Sequence, residues 1–368
     1  MKLAINAINI GPGGGLSVLL GLLEGLKQVG ADIEIVIFSR RTQTWAALEK
    51  TGWSASIRKV KISSPIVSQL WEKTQLPSLL KAEKAQILLT NNYYVANVFC
   101  PQVVHHQNLW TLFARSLWPY VIRGPRRIAQ TLGAREALKK AQANVFISHY
   151  MRRCAEIINP VSQSRNHVIY NGLTKDFITL AENPANATRK FSPMLCALQA
   201  PLRYKDNDSL LLAVVELLKM APDNDWQLRI AGAGDWTAWQ RKAKKLHIEN
   251  KVRFLGCLDL KGIVDLFGQS SCLIYPSVFE GFGMPLIEAM ACGCTAIAVN
   301  ATAIPEIAGK SAIFVPPHSP RDIAKGVIEL YSNDKLRQEL LESGRARAKD
   351  FSCVKNAEEF CQLFAKLV

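Results

Sequence analysis

Between Tyr275 and Gly293 the chain reads YPSVFEGFGMPLIEAMACG, and two carboxylates, Glu280 and Glu288, stand in it with seven residues between them. The segment follows an apolar run, passes through Gly281 and Gly283, and enters a helical pattern at Pro285. Glycines let backbone N–H groups approach a ligand, and a helix N-terminus favours phosphate. Glu280 is expected at a strand end and Glu288 about one turn into the helix, so both meet one cleft in different surroundings. Carboxylates are the usual bidentate acceptors of vicinal hydroxyls such as those of a ribose or hexose. Taken singly, Glu288 would only complement the helix dipole and Glu280 would be a solvated loop residue. Taken together, the cluster argues for a ligand.

A second candidate is the loop Gly11-Pro12-Gly13-Gly14-Gly15, which joins a strand to a helix. It lacks the third glycine of the dinucleotide fingerprint, and Ser39-Arg40-Arg41 ends the second strand where an Asp or Glu would bind ribose. Two arginines there suit a 2′-phosphate, so an NADP-dependent oxidoreductase is the rival reading of this half. That rival leaves Glu280 and Glu288 unexplained. Asp206 to Asp208 and Asp223 to Asp225 imitate a metal-binding Asp-x-Asp, but each lies beside a helix end, where Asp and Asn cap and turn. Both triplets are read as structural, and no essential metal or cofactor is expected.

The elements that must position these residues alternate. LAINAINI (3–10), IEIVIF (33–38), 86–90, 103–106 and 143–148 read as strands, with a helix over Leu16 to Val29. After an Asn-, Pro- and Gly-containing linker at 171–193, strands recur at PMLCAL, 226–232, 252–256, 272–277, 295–299 and 312–315. Helices fit between them at 209–220, 236–246, 285–291 and 322–330. Such βα series build parallel sheets, and 368 residues suffice for two domains of about 150 to 200 residues. The expected architecture is α/β, two Rossmann-like doubly wound domains facing a central cleft, with ligands at the carboxyl ends of the strands.

The segment from Tyr275 to Gly293 closely resembles the signature of retaining GT-B glycosyltransferases of family four. Gly13 to Gly15, VIYNGL (168–173), the stretch around Arg203 and Lys205, LRIAGAGD (228–235) and VRFLGCLD (252–259) occur in that family's order. The resemblance implies an acceptor-side domain over 1–175, a donor domain over 190–352, and a last helix, 353–368, packing back on the first domain. It implies that Glu280 contacts hydroxyls of the transferred sugar, that the Gly281-Phe282-Gly283-Met284 backbone holds sugar and diphosphate, and that Glu288 binds the nucleotide ribose. Gly13, Gly14 and Gly15 would approach the donor phosphate or acceptor from the opposite wall. An arginine and a lysine would neutralise the departing nucleoside diphosphate, whose developing negative charge needs a positive partner. Lys205 fits. The usual arginine position, five residues earlier, holds Ala200, and Arg203 is the substitute. A polar residue at a strand end, often histidine, would lie near the sugar; His106 is favoured, with His105 and Asn108 competing. A sugar-nucleotide binder or epimerase of the same fold is a further alternative.

Net charge is +15, and it is uneven. Residues 1–180 carry 22 Lys and Arg against 9 Asp and Glu, whereas residues 181–368 carry 23 against 21. A one-sided field attracts an anion. Between Arg115 and Arg153 stand nine basic residues, among them Arg126 and Arg127, interleaved with or preceded by Trp110, Phe113, Trp118 and Tyr120. That mixture suits an anionic membrane surface, with a buried helix of basic solvated face as the alternative. Partners expected are therefore a nucleotide sugar and a glycan or lipid-linked acceptor, with no nucleic acid. Nine scattered cysteines without a Cys-x-x-Cys pair, and a start lacking a basic signal and cleavage site, read as a cytoplasmic protein, peripheral at the inner membrane face.

Overall fold

The computed structural model describes residues 1–368 apart from 12, 51, 54–55, 63–64, 92, 96, 113–124 and 183–191. The chain divides into two compact units, Met1–Thr174 with Ser352–Val368, and Lys175–Phe351.

The first unit is a seven-stranded parallel sheet. Its strands are β1 (Lys2–Asn6), β2 (Glu34–Ser39), β3 (Ile57–Lys59), β4 (Ile87–Asn91), β5 (Gln102–His106), β6 (Ala143–Phe146) and β7 (Asn166–Val168), in the order β3-β2-β1-β4-β5-β6-β7. Alternate residues of the central strands serve two cores. Leu3, Ile5, Leu89 and Val103 face helix Gly14–Gln28 and helix Cys353–Ala365, while Ala4, Val36 and Leu88 join Trp71, Leu76 and Leu80. Helix Gly14–Gln28 buries Leu19, Leu22, Leu23 and Leu26, each contributing up to about 1.5 to 3 kcal/mol. Gly25 is where the C-terminal helix comes closest: a Cβ there would lie 2.0 Å from the Cys353 carbonyl oxygen. The same end is held by Cys353 N–H donating to Leu173 O (3.0 Å) and Asn356 Nδ2 to Tyr170 O (2.6 Å).

The second unit is a six-stranded parallel sheet, β8 (Met194–Leu198), β9 (Gln227–Ala231), β10 (Val252–Gly256), β11 (Cys272–Tyr275), β12 (Thr295–Val299) and β13 (Ile313–Val315). Its order is β10-β9-β8-β11-β12-β13. The chain crosses back to β11 after β10, so β8 and β11 flank the point where the order reverses, and loops leaving their carboxyl ends share one place. Helices Asn207–Met220 and Met284–Ala291 follow those loops.

Two strands were not foreseen, β3 and β7, each three residues long and each at a sheet edge. Among the described residues no helix is long and apolar enough to cross a membrane. Of the aromatic and basic stretch, Phe113, Arg115, Trp118, Tyr120 and Arg123 lie outside the described residues, as do the side chains of Arg126 and Arg127. Leu109 and Leu112 are buried, 3% and 1% exposed, so these two serve the core, whereas Leu132 is 59% exposed.

Candidate functional site

The loop from β11 to helix Met284–Ala291 is anchored by its aromatic residues. Phe279 packs edge-on against Tyr204 at 6.2 Å, and Phe282 against Phe351 at 5.6 Å between ring centroids. Both rings are buried, so what Phe282 can offer a ligand is its backbone. Gly283 takes φ 111° and ψ 53°, a left-handed conformation open to glycine, and begins the helix with no side-chain cap. Pro285 sits in the first turn, pre-set for the helix. The helix therefore starts with its positive end unclaimed by a side chain, the arrangement that suits an anion.

Glu280 is held at every point but one. Its Oε1 accepts from Lys205 Nζ at 2.5 Å and from Ser277 Oγ at 2.7 Å. Its N–H donates to Thr302 Oγ1 (3.0 Å), and its carbonyl accepts from Ala303 N–H (3.4 Å). Among the described residues Oε2 has no hydrogen-bond partner. Lys205 and Glu280 are 13% and 14% exposed, so the pair is largely sheltered yet reachable. Burial alone would lower the Lys205 pKa, but the Glu280 charge and its hydrogen bond outweigh that and raise it. The ammonium also lies 5.4 Å and 5.5 Å from the Tyr204 and Tyr275 ring centroids. Tyr275 is fully buried, and its hydroxyl lies beside the Glu280 carboxylate, which together with burial raises its pKa.

Lys205 ends a short 3-10 turn, Arg203–Lys205, and Asp206 then starts helix Asn207–Met220. Asp206 caps that helix through Ser209 N–H (3.3 Å) and pairs with His318 Nδ1 (2.9 Å). Asp208 pairs with Lys242 at 2.8 Å and Asp225 with Lys251 at 2.7 Å, so these acids are engaged in structure. Upstream, Asn207 Nδ2 donates to the Ala200 carbonyl, tying the turn to the helix start. Gly232, after β9, must be glycine, since a Cβ there would lie 1.8 Å from the Gln199 carbonyl oxygen. Arg203 is exposed and, among the described residues, without a salt-bridge partner, unlike Lys205.

Glu288 lies on helix Met284–Ala291, its carboxyl group makes no hydrogen bond or ion pair with the described residues, and its pKa is pushed up to about 7 by burial. Two carboxylates eight positions apart thus differ in kind: Glu280 is charge-paired, and Glu288 is desolvated.

In the first unit the structure does not present His106 as expected. Its ring is fully buried, stacks on Phe146 at 4.8 Å, and shares a 3.0 Å hydrogen bond between Nε2 and Asn144 Oδ1. Burial pushes its pKa down to about 4, so it is neutral. His105 points to the opposite face, edge-on to Phe360 at 5.3 Å, with its pKa lowered to about 3 by burial and its neighbour His106. The strand-end side chain beside the glycine loop is Gln107, whose Oε1 would be 3.5 Å from a Cβ on Gly15. Its amide reaches His105 Nδ1 (3.2 Å) and Asn91 Oδ1 (3.4 Å). Gly13 opens helix Gly14–Gln28 at φ 111°, and Gly13 and Gly14 are exposed. Arg40 is engaged locally, its Nε donating to the Ile8 carbonyl at 3.1 Å.

Sequence reasoning missed Glu72. It is 2% exposed and accepts from Asn6 Nδ2 (2.8 Å) and the Tyr93 hydroxyl (2.5 Å), while Asn9 Nδ2 donates to the same hydroxyl (2.7 Å). Burial raises its pKa. The available signal was a lone acid after Leu70 and Trp71 in a helix.

Comparison with known proteins bears on this geometry. Residues 186–347 match the family model for glycosyl transferases group 1. That stretch lies within the second unit. The matched range includes Arg203, Lys205, Glu280 and Glu288. The chain is 26% identical over 226 residues to O-antigen chain mannosyltransferase B of Escherichia coli, covering 59% of this chain and 58% of that protein. It is 31% identical over 173 residues to D-inositol 3-phosphate glycosyltransferase of Corynebacterium jeikeium, covering 45% and 41%. The chain thus spans about half the length of these curated relatives. Its whole length superposes on a solved glycosyltransferase from Rickettsia africae (TM-score 0.75, 16% identity, 98% of that chain) and on Anabaena Alr3699/HepE in complex with UDP-glucose (0.74, 15%, 100%). The fold is GT-B, two α/β units with parallel sheets.

Proposed function

We propose that this protein is a retaining, metal-independent glycosyltransferase that moves a sugar from a nucleotide-diphosphate sugar to a glycan or lipid-linked acceptor. The observation that carries the reading is the Glu280 carboxylate, with Oε1 pinned by Lys205 and Ser277, the Tyr275 hydroxyl beside it, and no close hydrogen bond to Oε2 among the described residues. A carboxylate so fixed accepts a sugar hydroxyl through Oε2 in a set direction, which is positioning obtained before the substrate arrives.

In the proposed reaction the bond between the anomeric carbon and the β-phosphate oxygen breaks, and the nucleoside diphosphate leaves with the electron pair. An acceptor hydroxyl forms the new bond on the same face, and its proton goes to the departing phosphate oxygen. Lys205, kept protonated by Glu280, is shared with the growing negative charge, and Arg203 supplies a second, mobile cation. The uncapped start of helix Met284–Ala291 adds backbone N–H groups at the same charge. Glu288 in its ionised form would accept the two ribose hydroxyls. No step calls for a metal.

Support comes from relatives named as mannosyl- and inositol 3-phosphate glycosyltransferases and from a neighbour solved with UDP-glucose. On the acceptor side, the basic surplus of residues 1–180 fits an anionic or lipid-linked acceptor at a membrane surface, with the stretch 109–153 as the contact. A thermal-shift panel of UDP, GDP, ADP, their glucose and mannose esters, and NADPH tests the reading. Stabilisation by a nucleotide diphosphate and its sugar ester is expected; stabilisation by NADPH alone would reject it in favour of the oxidoreductase.

A further inference from the structure

Six non-glycine residues adopt positive φ among the described residues, and three of them surround the Lys205–Glu280 pair: Asp206 at 50°, Thr302 at 53° and His318 at 58°. Asp206 follows Lys205 directly and is bonded to His318. Thr302 receives the Glu280 N–H, and the next residue, Ala303, donates to the Glu280 carbonyl. The turn after β12 therefore clasps Glu280 from both sides of its backbone.

Thr302 is the only β-branched residue of the six. A side chain branched at Cβ is the least suited to this region, because Cβ already crowds the backbone there, whereas glycine enters it freely. The turn itself is tight, with Ala301 N–H on Val299 O (2.9 Å) and Ile304 N–H on Ala301 O (3.2 Å), and asks only for a residue that tolerates the conformation. Glycine would satisfy the turn and could not bond Glu280. Residues held in sparsely populated backbone regions persist where neighbours over-determine them, and they gather at working sites.

We propose that Thr302 is a positioning residue: its hydroxyl fixes the peptide unit between Phe279 and Glu280. The Glu280 carboxylate then arrives at Lys205 and Ser277 with Oε2 left for a sugar hydroxyl. Thr302 touches no substrate in this account and acts through Glu280. The inference rests on the sugar-nucleotide reading of the site. It differs from a structural role in one respect. A residue serving only the turn is improved by glycine, and a residue serving Glu280 is not.

The test uses the full chain with two substitutions, Thr302→Gly, which removes strain and hydroxyl together, and Thr302→Ser, which keeps the hydroxyl. Melting temperature is measured with the dissociation constants of the bare nucleotide diphosphate and of its sugar ester, using the pair that stabilises the wild type in the panel above. Thr302→Gly should melt at or above the wild type and bind the bare nucleotide equally, while binding the sugar ester about fivefold to tenfold more weakly, the loss expected from one misplaced hydrogen-bonding group. Thr302→Ser, which removes the branch and keeps the hydroxyl, should match the wild type in both affinities and melt at or above it. Wild-type affinity of Thr302→Gly for the sugar ester would overturn the proposal, and so would a fall in its melting temperature with both affinities reduced together. If the wild type binds no sugar ester more tightly than its bare nucleotide, the parent reading fails and this one falls with it.

Discussion

Both units end their parallel sheets in loops at the carboxyl ends of the strands, but the two ends are built from different chemistry. In the first unit the polar groups are buried, neutral or shared: His105 and His106 have pKa values lowered to about 3 and about 4 by burial, and Glu72 is enclosed with Tyr93 and Asn6. In the second unit the groups are ionic and reachable, with Lys205 against Glu280, Arg203 exposed, and Glu288 poised near neutrality. Net charge runs the other way, since the first half of the chain holds almost all of the surplus. Bulk charge and reactive charge are thus separable. A surplus of this kind would act at a distance on an anionic partner, whereas the proposed sugar transfer would depend on a few charges held at hydrogen-bond range.

The contrast breaks most easily at Lys205. Lys205→Ala should lower the rate of nucleotide diphosphate release from the sugar ester by about 10²- to 10³-fold, the range for losing one transition-state charge partner, as read by steady-state kinetics. Equal rates in variant and wild type would remove the second unit's claim to the chemistry. A stability counterpart lies in the first unit. Gly25→Ala forces a Cβ onto the Cys353 carbonyl and should cost about 1 to 3 kcal/mol, lowering the denaturation midpoint. An unchanged midpoint would mean the C-terminal helix is not packed there.

Glu288 sharpens the comparison through pH. Its carboxyl keeps its proton up to about 7, against 4.5 when unperturbed. Across that window the folded protein holds a proton that the unfolded chain has lost, so this group's contribution makes stability fall as pH rises. Ribose hydroxyls need the ionised acceptor, so nucleotide affinity should rise across the same window. Glu288→Gln should flatten both trends in melting and titration experiments from about pH 5 to 8; persistence of both would assign them elsewhere. The smallest effect is expected at His106. Replacement by Phe keeps the stack on Phe146 but strands Asn144, costing about 1 to 3 kcal/mol of stability, while the rate of the folded protein stays unchanged. A large loss of rate at unchanged stability would restore the histidine to the site.

Much of this was legible in the residues. All six strands of the second sheet coincide with segments read from the sequence; the central ones, β8, β11 and β12, are near-continuous apolar runs because they are buried on both faces. β3 and β7 escaped because an edge strand of three residues, IRK or NHV, has no period to detect. The spacing and the glycines singled out Glu280, Glu288 and Lys205, of which the structure pairs Lys205 with Glu280 and buries Glu288. His106 is buried for a definite reason. Alternation turns one of two neighbours toward each face, but β5 lies inside a sheet covered on both faces, so neither histidine is open. Thr302 and Glu72 were beyond reach, since their roles depend on a backbone angle and on partners 22 and 66 residues away.

The central claim is that the free oxygen of Glu280 receives the transferred sugar. Calorimetric titration of the wild type and Glu280→Gln with a nucleotide diphosphate and with its sugar ester tests it directly. The account predicts that the substitution leaves the bare nucleotide's affinity within about twofold and removes most of the increment that the sugar adds, because an amide replaces the charged acceptor. Equal sugar-dependent increments in the two proteins would contradict it.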